Sequence, residues 1–432
     1  MLSANLSINN RGHLCFAGQD VCDLAARYGT PLYLMDENRI RENCRVYLKA
    51  FAKNFGTQAA AAYASKAASF SRIYRIMAEE GMYIDVVSSG EIYTAKKADF
   101  DLRHAFFHSN NKTDEDIRFA MECSIGWFVV DGKDELLRIN EIAAERGTVQ
   151  PILLRLTPGI DPHTYAAIST GKVDSKFGSA IETGQADEIV ALTLKQANIR
   201  LDGFHCHVGS QVFGEDVYQR TCDIMVGFMA EMREKYGYTA KIFDIGGGYG
   251  VPYLESQGKV DIAARIGEVA DHLKALCEKL SFPLPFMVME PGRSIVADAG
   301  LTVYTAGSVK QIPGYKNYVS IDGGMGDNPR YALYESSYTV LHGSRAAEEA
   351  TFRCDLVGRC CESGDIIQPN ILLPETTCRG DIICVCTTGA YNYSMASNYN
   401  RLPRPPIVML KDGESYVAVK RETFEHLTAL DI

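Results

Sequence analysis

The feature that most constrains this chain is a regular alternation. Eight short apolar runs occur at Ala59–Ala64, Tyr83–Val87, His104–Phe107, Trp127–Val130, Ile152–Leu156, Leu201–His207, Ile242–Ile245 and Met287–Glu290. Stretches of helical periodicity lie between them, among them Ser71–Glu79, Thr113–Met121, Asp134–Glu145, Ala186–Gln196, Val217–Lys235 and Ala263–Leu280. Eight strand–helix units over roughly 250 residues predict an α/β fold, a closed (β/α)8 barrel of the TIM type. An open doubly wound sheet is the alternative.

The flanking segments read differently. Leu6 to Phe16 alternate around Asn9-Asn10-Arg11-Gly12, which predicts a hairpin. A helix over Val21–Tyr28 should stop at Gly29 and Pro31, and Leu32–Met35 reads as another strand. Asp36 then caps a long amphipathic helix that carries Ile40, Cys44, Tyr47, Leu48 and Phe51 on one face. After Ala297 strands dominate, at Leu301–Val309, Tyr318–Asp322, Thr351–Gly358, Asp381–Thr387, Ile407–Leu410 and Tyr416–Lys420. The expected division is a barrel over residues 36–297 and an all-β domain built from 1–35 and 298–432. The strands before Asp36 are expected to join that second domain.

Composition narrows the function classes. A net charge of -10 leaves no basic stripe for nucleic acid. Thirteen cysteines without framework spacing read as reduced thiols of a cytoplasmic protein. Met1 to Asn10 has neither the basic start nor the apolar core of a signal peptide, and no apolar run is long enough to span a bilayer.

In a parallel barrel the chemistry sits at the C-terminal strand ends. Those ends supply Lys66, Ser88-Ser89, His108, Asp131, Arg155, His207, Gly246-Gly247-Gly248 and Glu290. Lys66 closes the narrow strand Ala59-Ala60-Ala61-Ala62-Tyr63-Ala64. Desolvation there would favour the neutral amine, the form that attacks an aldehyde. The plainer reading is a strand-end lysine reaching solvent. The triple glycine lets backbone N–H groups approach an anion. Val251 stands where a dinucleotide fingerprint needs its last glycine. Glu290-Pro291-Gly292-Arg293 offers a carboxylate for a heteroaromatic nitrogen and a guanidinium for a carboxylate or phosphate. His205 and His207 could share a metal, being alternate residues of one strand. Few further inward ligands are in sight, so His207 stacked on a planar cofactor is the better expectation, and no metal is expected.

Taken together these motifs resemble the diaminopimelate decarboxylases, pyridoxal-phosphate enzymes of the alanine-racemase-like barrel fold. The matching stretches are Tyr63-Ala64-Ser65-Lys66, Asp85-Val86-Val87-Ser88-Ser89-Gly90-Glu91, His207-Val208-Gly209-Ser210-Gln211, Asp244-Ile245-Gly246-Gly247-Gly248 and Glu290-Pro291-Gly292-Arg293-Ser294. They continue with Asp322-Gly323-Gly324-Met325, Cys360-Cys361-Glu362-Ser363-Gly364-Asp365, Gly389-Ala390-Tyr391 and Tyr399-Asn400-Arg401. The resemblance implies a Schiff base between Lys66 and pyridoxal 5'-phosphate, Glu290 at the pyridine nitrogen and His207 on the ring face. Ser210, Gly247, Gly248, Gly292, Arg293 and Tyr391 would surround the cofactor. Arg293, Arg330, Tyr334, Glu362 and Tyr391 would contact substrate, and Cys361 would donate a proton.

Ser65 and Ala68 stand where the family often has Val and Asn, and Tyr331 follows Arg330 where Pro is common. The expected reaction is decarboxylation of meso-2,6-diaminopimelate to L-lysine, since Arg330 with Glu362 suits a distal amino-carboxylate centre. The alternatives are decarboxylation of another diamino acid and a non-catalytic pyridoxal-phosphate carrier. The resemblance also implies a homodimer whose active sites are built by both chains.

Overall fold

The eight apolar runs pair in parallel and close on themselves. In the computed structural model, which describes residues 2–160 and 174–432, the barrel strands are β1 (Ala59–Ala64), β2 (Tyr83–Val86), β3 (Ala105–Phe107) and β4 (Trp127–Val130). They continue as β5 (Gln150–Thr157), β6 (Ile199–His205), β7 (Ile242–Asp244) and β8 (Phe286–Met289). Each pairs with the next, β8 pairs with β1, and the β4–β5 pairing completes the ring. The doubly wound alternative is thereby excluded.

Side chains fill the barrel interior. Ala62, Phe106, Val129, Leu153, Ile242 and Val288, from six different strands, form one buried cluster. Phe106 supplies the bulk that the alanines of β1 lack, as layered packing inside such a barrel requires.

The helices start where the capping chemistry is strongest. Thr113 forms a capping box with Asp116 ahead of Asp114–Glu122, and Asp261 accepts from Ala264 N–H ahead of Ile262–Lys279. A helix over Ser89–Lys97 escaped the sequence reading. Ser88 accepts from Glu91 N–H while Glu91 accepts from Val87 N–H at 2.8 Å, so Ser-Ser-Gly-Glu is a helix start, not a loop.

Contacts divide the chain into two compact units. One comprises Asn43–Gly250 and Val260–Ser294; the other comprises Met1–Glu42, Val251–Lys259 and Ile295–Ile432. Within the second unit a sheet runs in the order Ile366–Pro374, Ala350–Val357, Lys316–Ile321, Gly300–Ile312, Leu32–Asp36, Ile407–Lys411, Glu414–Val419. Ile382–Cys386 pairs with Gly300–Ile312 as well, and Val340–His342 pairs with Ile382–Cys386. The N-terminal strands join this unit as expected, but not all through one sheet. Only Leu32–Asp36 enters this sheet, between Gly300–Ile312 and Ile407–Lys411. Leu6–Ile8, Leu14–Phe16 and Gln19–Asp20 form a separate antiparallel sheet. Leu6, Leu14 and Phe16 still pack into the same core as Leu32, Leu34, Leu301 and Val408, which explains the shared unit. Val251–Lys259 belongs here because Tyr253 O accepts from both Thr339 N–H and its hydroxyl.

Candidate active site

Lys66 and Glu290 leave neighbouring barrel strands. β1 and β8 are paired, and Ala64 N–H donates to Pro291 O at 3.0 Å just beyond their ends. A Cβ on Gly292 would come within 2.9 Å of the Ala64 Cβ, so this close approach needs glycine. Ser65–Ala67 forms a single 3-10 turn in which Ser65 and Ala67 are buried while Lys66 is exposed. The desolvated lysine expected from the sequence is therefore not found in this chain alone. The exposed Lys66 charge still acts on the buried Asp85 and on Glu91 and His207.

Glu290 is buried, and two imidazoles hold it. His205 Nε2 lies 3.1 Å from Oε2, and His108 Nε2 lies 2.6 Å from Oε1. Burial alone would raise this carboxyl, but His108 and His205 reverse the effect and hold it well below the usual range. Glu290 is an anion. Burial lowers His205 to about 3, so its ring is neutral. Asp244 is pushed well above its ordinary value by burial and by the Glu290 charge, and it accepts from Gly246 N–H at 2.9 Å. Ligand-type atoms of His108, His205, Asp244 and Glu290 all lie within 4.8 Å of one another.

His207 is not part of that group. β6 ends at His205, so strand alternation no longer governs position 207. The half-buried His207 ring lies against Gly246, where a Cβ would meet its Nδ1 at 2.8 Å. Burial, followed by the charges of Lys66 and Arg155, lowers this imidazole well below its usual value.

The glycine loop after β7 is shaped by close backbone packing. A Cβ on Gly247 would lie 1.9 Å from Glu290 O, and Gly248 has φ +122° with Gly209 O beside it. Tyr218 donates to Gly247 O at 3.0 Å. Arg293 opens the turn Arg293–Val296 and donates to Ser210 Oγ from Nε and Nη2, at 3.2 and 3.1 Å. Ser210, Gly247, Gly248, Gly292 and Arg293 thus all stand in the loops that follow β6, β7 and β8.

The remaining expected residues lie in the other unit. Arg330 begins the helix Arg330–Tyr334 and is buried, with its guanidinium 5.2 Å from the Tyr334 ring centroid and 5.4 Å from that of Tyr391. Cys361 and Glu362 are exposed on a turn. That turn is organised by Asp365, which accepts from Cys360 N–H at 2.7 Å and from Met325 N–H at 2.6 Å. Cys361 N–H donates to Asn400 Oδ1 at 2.7 Å. Sequence reasoning did not single out this role for Asp365 or the clamp on Glu290. The clamp had a visible signal, since His108 and Glu290 are each the first residue past their strand.

The barrel mouth fits a phosphorylated heteroaromatic aldehyde. An amine stands at the rim and an anionic carboxylate at the floor. Glu290 Oε1 accepts no aligned hydrogen bond despite the nearby His108, which leaves an acceptor for a ring N–H. The glycine loop keeps clear the volume that side chains would fill.

Comparison with known proteins agrees. The family described as "Pyridoxal-dependent decarboxylase, pyridoxal binding domain" matches residues 37–297. Diaminopimelate decarboxylase of Bacillus subtilis is 41% identical over 424 residues, covering 98% of this chain and 96% of that protein. The Staphylococcus aureus protein of the same name is 40% identical, with 98% of each covered. A diaminopimelate decarboxylase structure from M. jannaschii, in complex with L-lysine, superposes with a TM-score of 0.92 at 32% identity. It covers 100% of this chain and 99% of that one. The chain belongs to the diaminopimelate decarboxylase family of pyridoxal-dependent decarboxylases.

Proposed function

We propose that this chain converts meso-2,6-diaminopimelate to L-lysine and carbon dioxide, the last step of lysine biosynthesis, with pyridoxal 5'-phosphate as cofactor. One juxtaposition carries the reading: an amine and a buried anionic carboxylate leave the paired strands β1 and β8. When bound, pyridoxal phosphate supplies an aldehyde for the substrate amine and a ring that accepts the electron pair left by carbon dioxide. Lys66 would hold the aldehyde end of the cofactor through Nζ. Glu290 would accept the ring N–H and keep that nitrogen positive. His207 would lie against the ring. Ser210, Gly247, Gly248, Gly292 and Tyr391 would hold the phosphate, and Arg293 would contact cofactor and substrate.

Arg330, Tyr334, Glu362 and Tyr391 read the distal end of the substrate. The Arg330 guanidinium suits the distal carboxylate and Glu362 the distal ammonium. Cys361 delivers the proton to the carbon that has lost its carboxylate. Because Cys361 and Glu362 are exposed and Lys66 lies in the other unit, we assign Cys361 and Glu362 of each site to the second subunit of a homodimer. The scattered cysteines support a cytoplasmic, reducing setting. Among the described residues no helix is long and apolar enough to cross a membrane.

The test is release of carbon dioxide from meso-diaminopimelate, with ornithine, L-lysine and arginine as competitors. Borohydride treatment of the holoenzyme should fix the cofactor on Lys66. Preferred release from a diamino acid without the second carboxylate would assign another substrate. A label found elsewhere by peptide mass spectrometry would remove Lys66 from its role.

A further inference from the structure

Glu290 sits at the barrel floor with one imidazole facing each carboxylate oxygen. His205 is the last residue of β6, and His108 is the first after β3. Their rings meet edge to face with centroids 4.7 Å apart. His108, His205 and Glu290 are all at least nine-tenths buried. Other charged groups face the same floor: Asp85 of β2 lies 3.8 Å from His108 Nε2, with Arg155 of β5, Asp244 of β7 and Lys66 nearby.

Separations of 2.6 and 3.1 Å are direct nitrogen–oxygen pairs. A zinc ion holding such atoms at about 2.0–2.2 Å in a tetrahedron would spread them to about 3.3–3.6 Å. Building on the decarboxylase reading above, we propose that His108 and His205 are positioning residues that lock the Glu290 carboxylate toward the ring nitrogen of the cofactor.

The physical reason is rotation and burial acting together. A lone glutamate on a strand end turns freely about its last torsion, and a buried one tends to take up a proton. The His205 hydrogen bond at Oε2, with the His108 ring packed 2.6 Å from Oε1, fixes the plane of the carboxylate. His205 Nδ1 has no hydrogen-bond partner among the described residues, so the tautomer protonated on Nε2 serves the bond to Glu290. Outer partners of this kind orient the group that does the chemistry without touching the substrate.

The test uses the holoenzyme with His108→Leu, His205→Leu, His108→Gln and His205→Gln. Leucine keeps most of the volume and removes the donor, whereas the glutamine amide can restore a donor near Nε2. Each leucine variant should lower kcat by about 10- to 100-fold, the cost of a lost polar partner to a buried charge (the hydrogen bond of His205, the close ring nitrogen of His108), with KM little changed. Pyridoxal phosphate should dissociate more readily from it in equilibrium dialysis. The acid limb of the kcat profile should move to higher pH, because burial of Glu290 is then unopposed. Glutamine should restore a large part of all three.

Leucine variants with wild-type cofactor affinity and pH profile would overturn the proposal. So would folded glutamine variants as impaired as leucine, since packing and not donation would then matter. If wild-type protein itself bound no cofactor, the decarboxylase reading would fail instead, which separates the two.

Discussion

At the scale of single residues, the proposed substrate preference rests on Arg330. Its guanidinium is buried between the Tyr334 and Tyr391 rings, so its charge is costly unless a ligand anion meets it. Lysine keeps the charge but lacks the planar fork and the stacking that two flanking rings provide. Arg330→Lys should reduce kcat/KM for meso-diaminopimelate by about 10- to 100-fold. Slow turnover of L-lysine, which has no distal carboxylate, should fall much less. Equal losses on both substrates, accompanied by a lower melting temperature, would assign Arg330 to the fold instead. The residue scale is also where the sequence misled about Lys66. Its neighbours predicted burial, and Ser65 and Ala67 are indeed buried, but the 3-10 turn exposes the residue between them. Burial of a strand does not extend to the side chain that ends it.

At the scale of elements, the loop leading into Arg330 hangs on Asp327. Its carboxyl accepts from Tyr304 O–H at 2.5 Å and from Gly324 N–H at 2.9 Å, and burial pushes it up to about 7. Folded Asp327 binds its proton more tightly than the unfolded chain does. Its contribution to stability is therefore complete below the unfolded value of 3.8 and lost as pH rises through about 7. Asp327→Asn should be less pH-dependent across that window, gaining on wild type by an amount on the order of 2–4 kcal/mol between pH 4 and 8. Chemical denaturation at several pH values measures this, and parallel curves for the two proteins would refute it. Barrel strands were legible because each is a short apolar run framed by helical periodicity, and their ends named Lys66, His108 and Glu290. The strand Ile366–Pro374 was not legible. Pro369 interrupts its pattern, and Asn370 takes φ +56° while donating its N–H to Asp355. Irregular pairing of that kind has no period to read. Nor could spacing show that His108 and His205 meet, because that depends on which strands closure makes face one another. In the glycine loop, Gly247→Ala would put a Cβ 1.9 Å from Glu290 O, far inside contact. The backbone would have to move, and we expect at least a tenfold loss of cofactor affinity by equilibrium dialysis, roughly the cost of one misplaced hydrogen bond to an anion. Unchanged affinity would show that this loop does not hold the phosphate.

At the scale of the whole molecule, the residues of the proposed site come from two units of the chain. Lys66, His207 and Glu290 belong to the barrel, whereas Arg330, Cys361 and Tyr391 belong to the β unit. Cys361 is exposed on its turn, which is where a group destined to serve another subunit should be. A twofold interface repeats every contact, so one shared site implies two. Covering each barrel mouth with the partner's β unit would also keep water from the carbon that has lost its carboxylate. It would also shield the exposed Lys66 from bulk solvent. The consequence is complementation. Lys66→Ala and Cys361→Ala homodimers should each be nearly inactive. Letting their subunits exchange should form heterodimers in which one site carries both defects and the other carries none. Activity should then rise to about half the wild-type value per heterodimer, if the sites act independently. Native mass spectrometry would count the heterodimers directly. Complete exchange without recovered activity would place Lys66 and Cys361 of each site in one chain, and the division of labour between subunits would have to be abandoned.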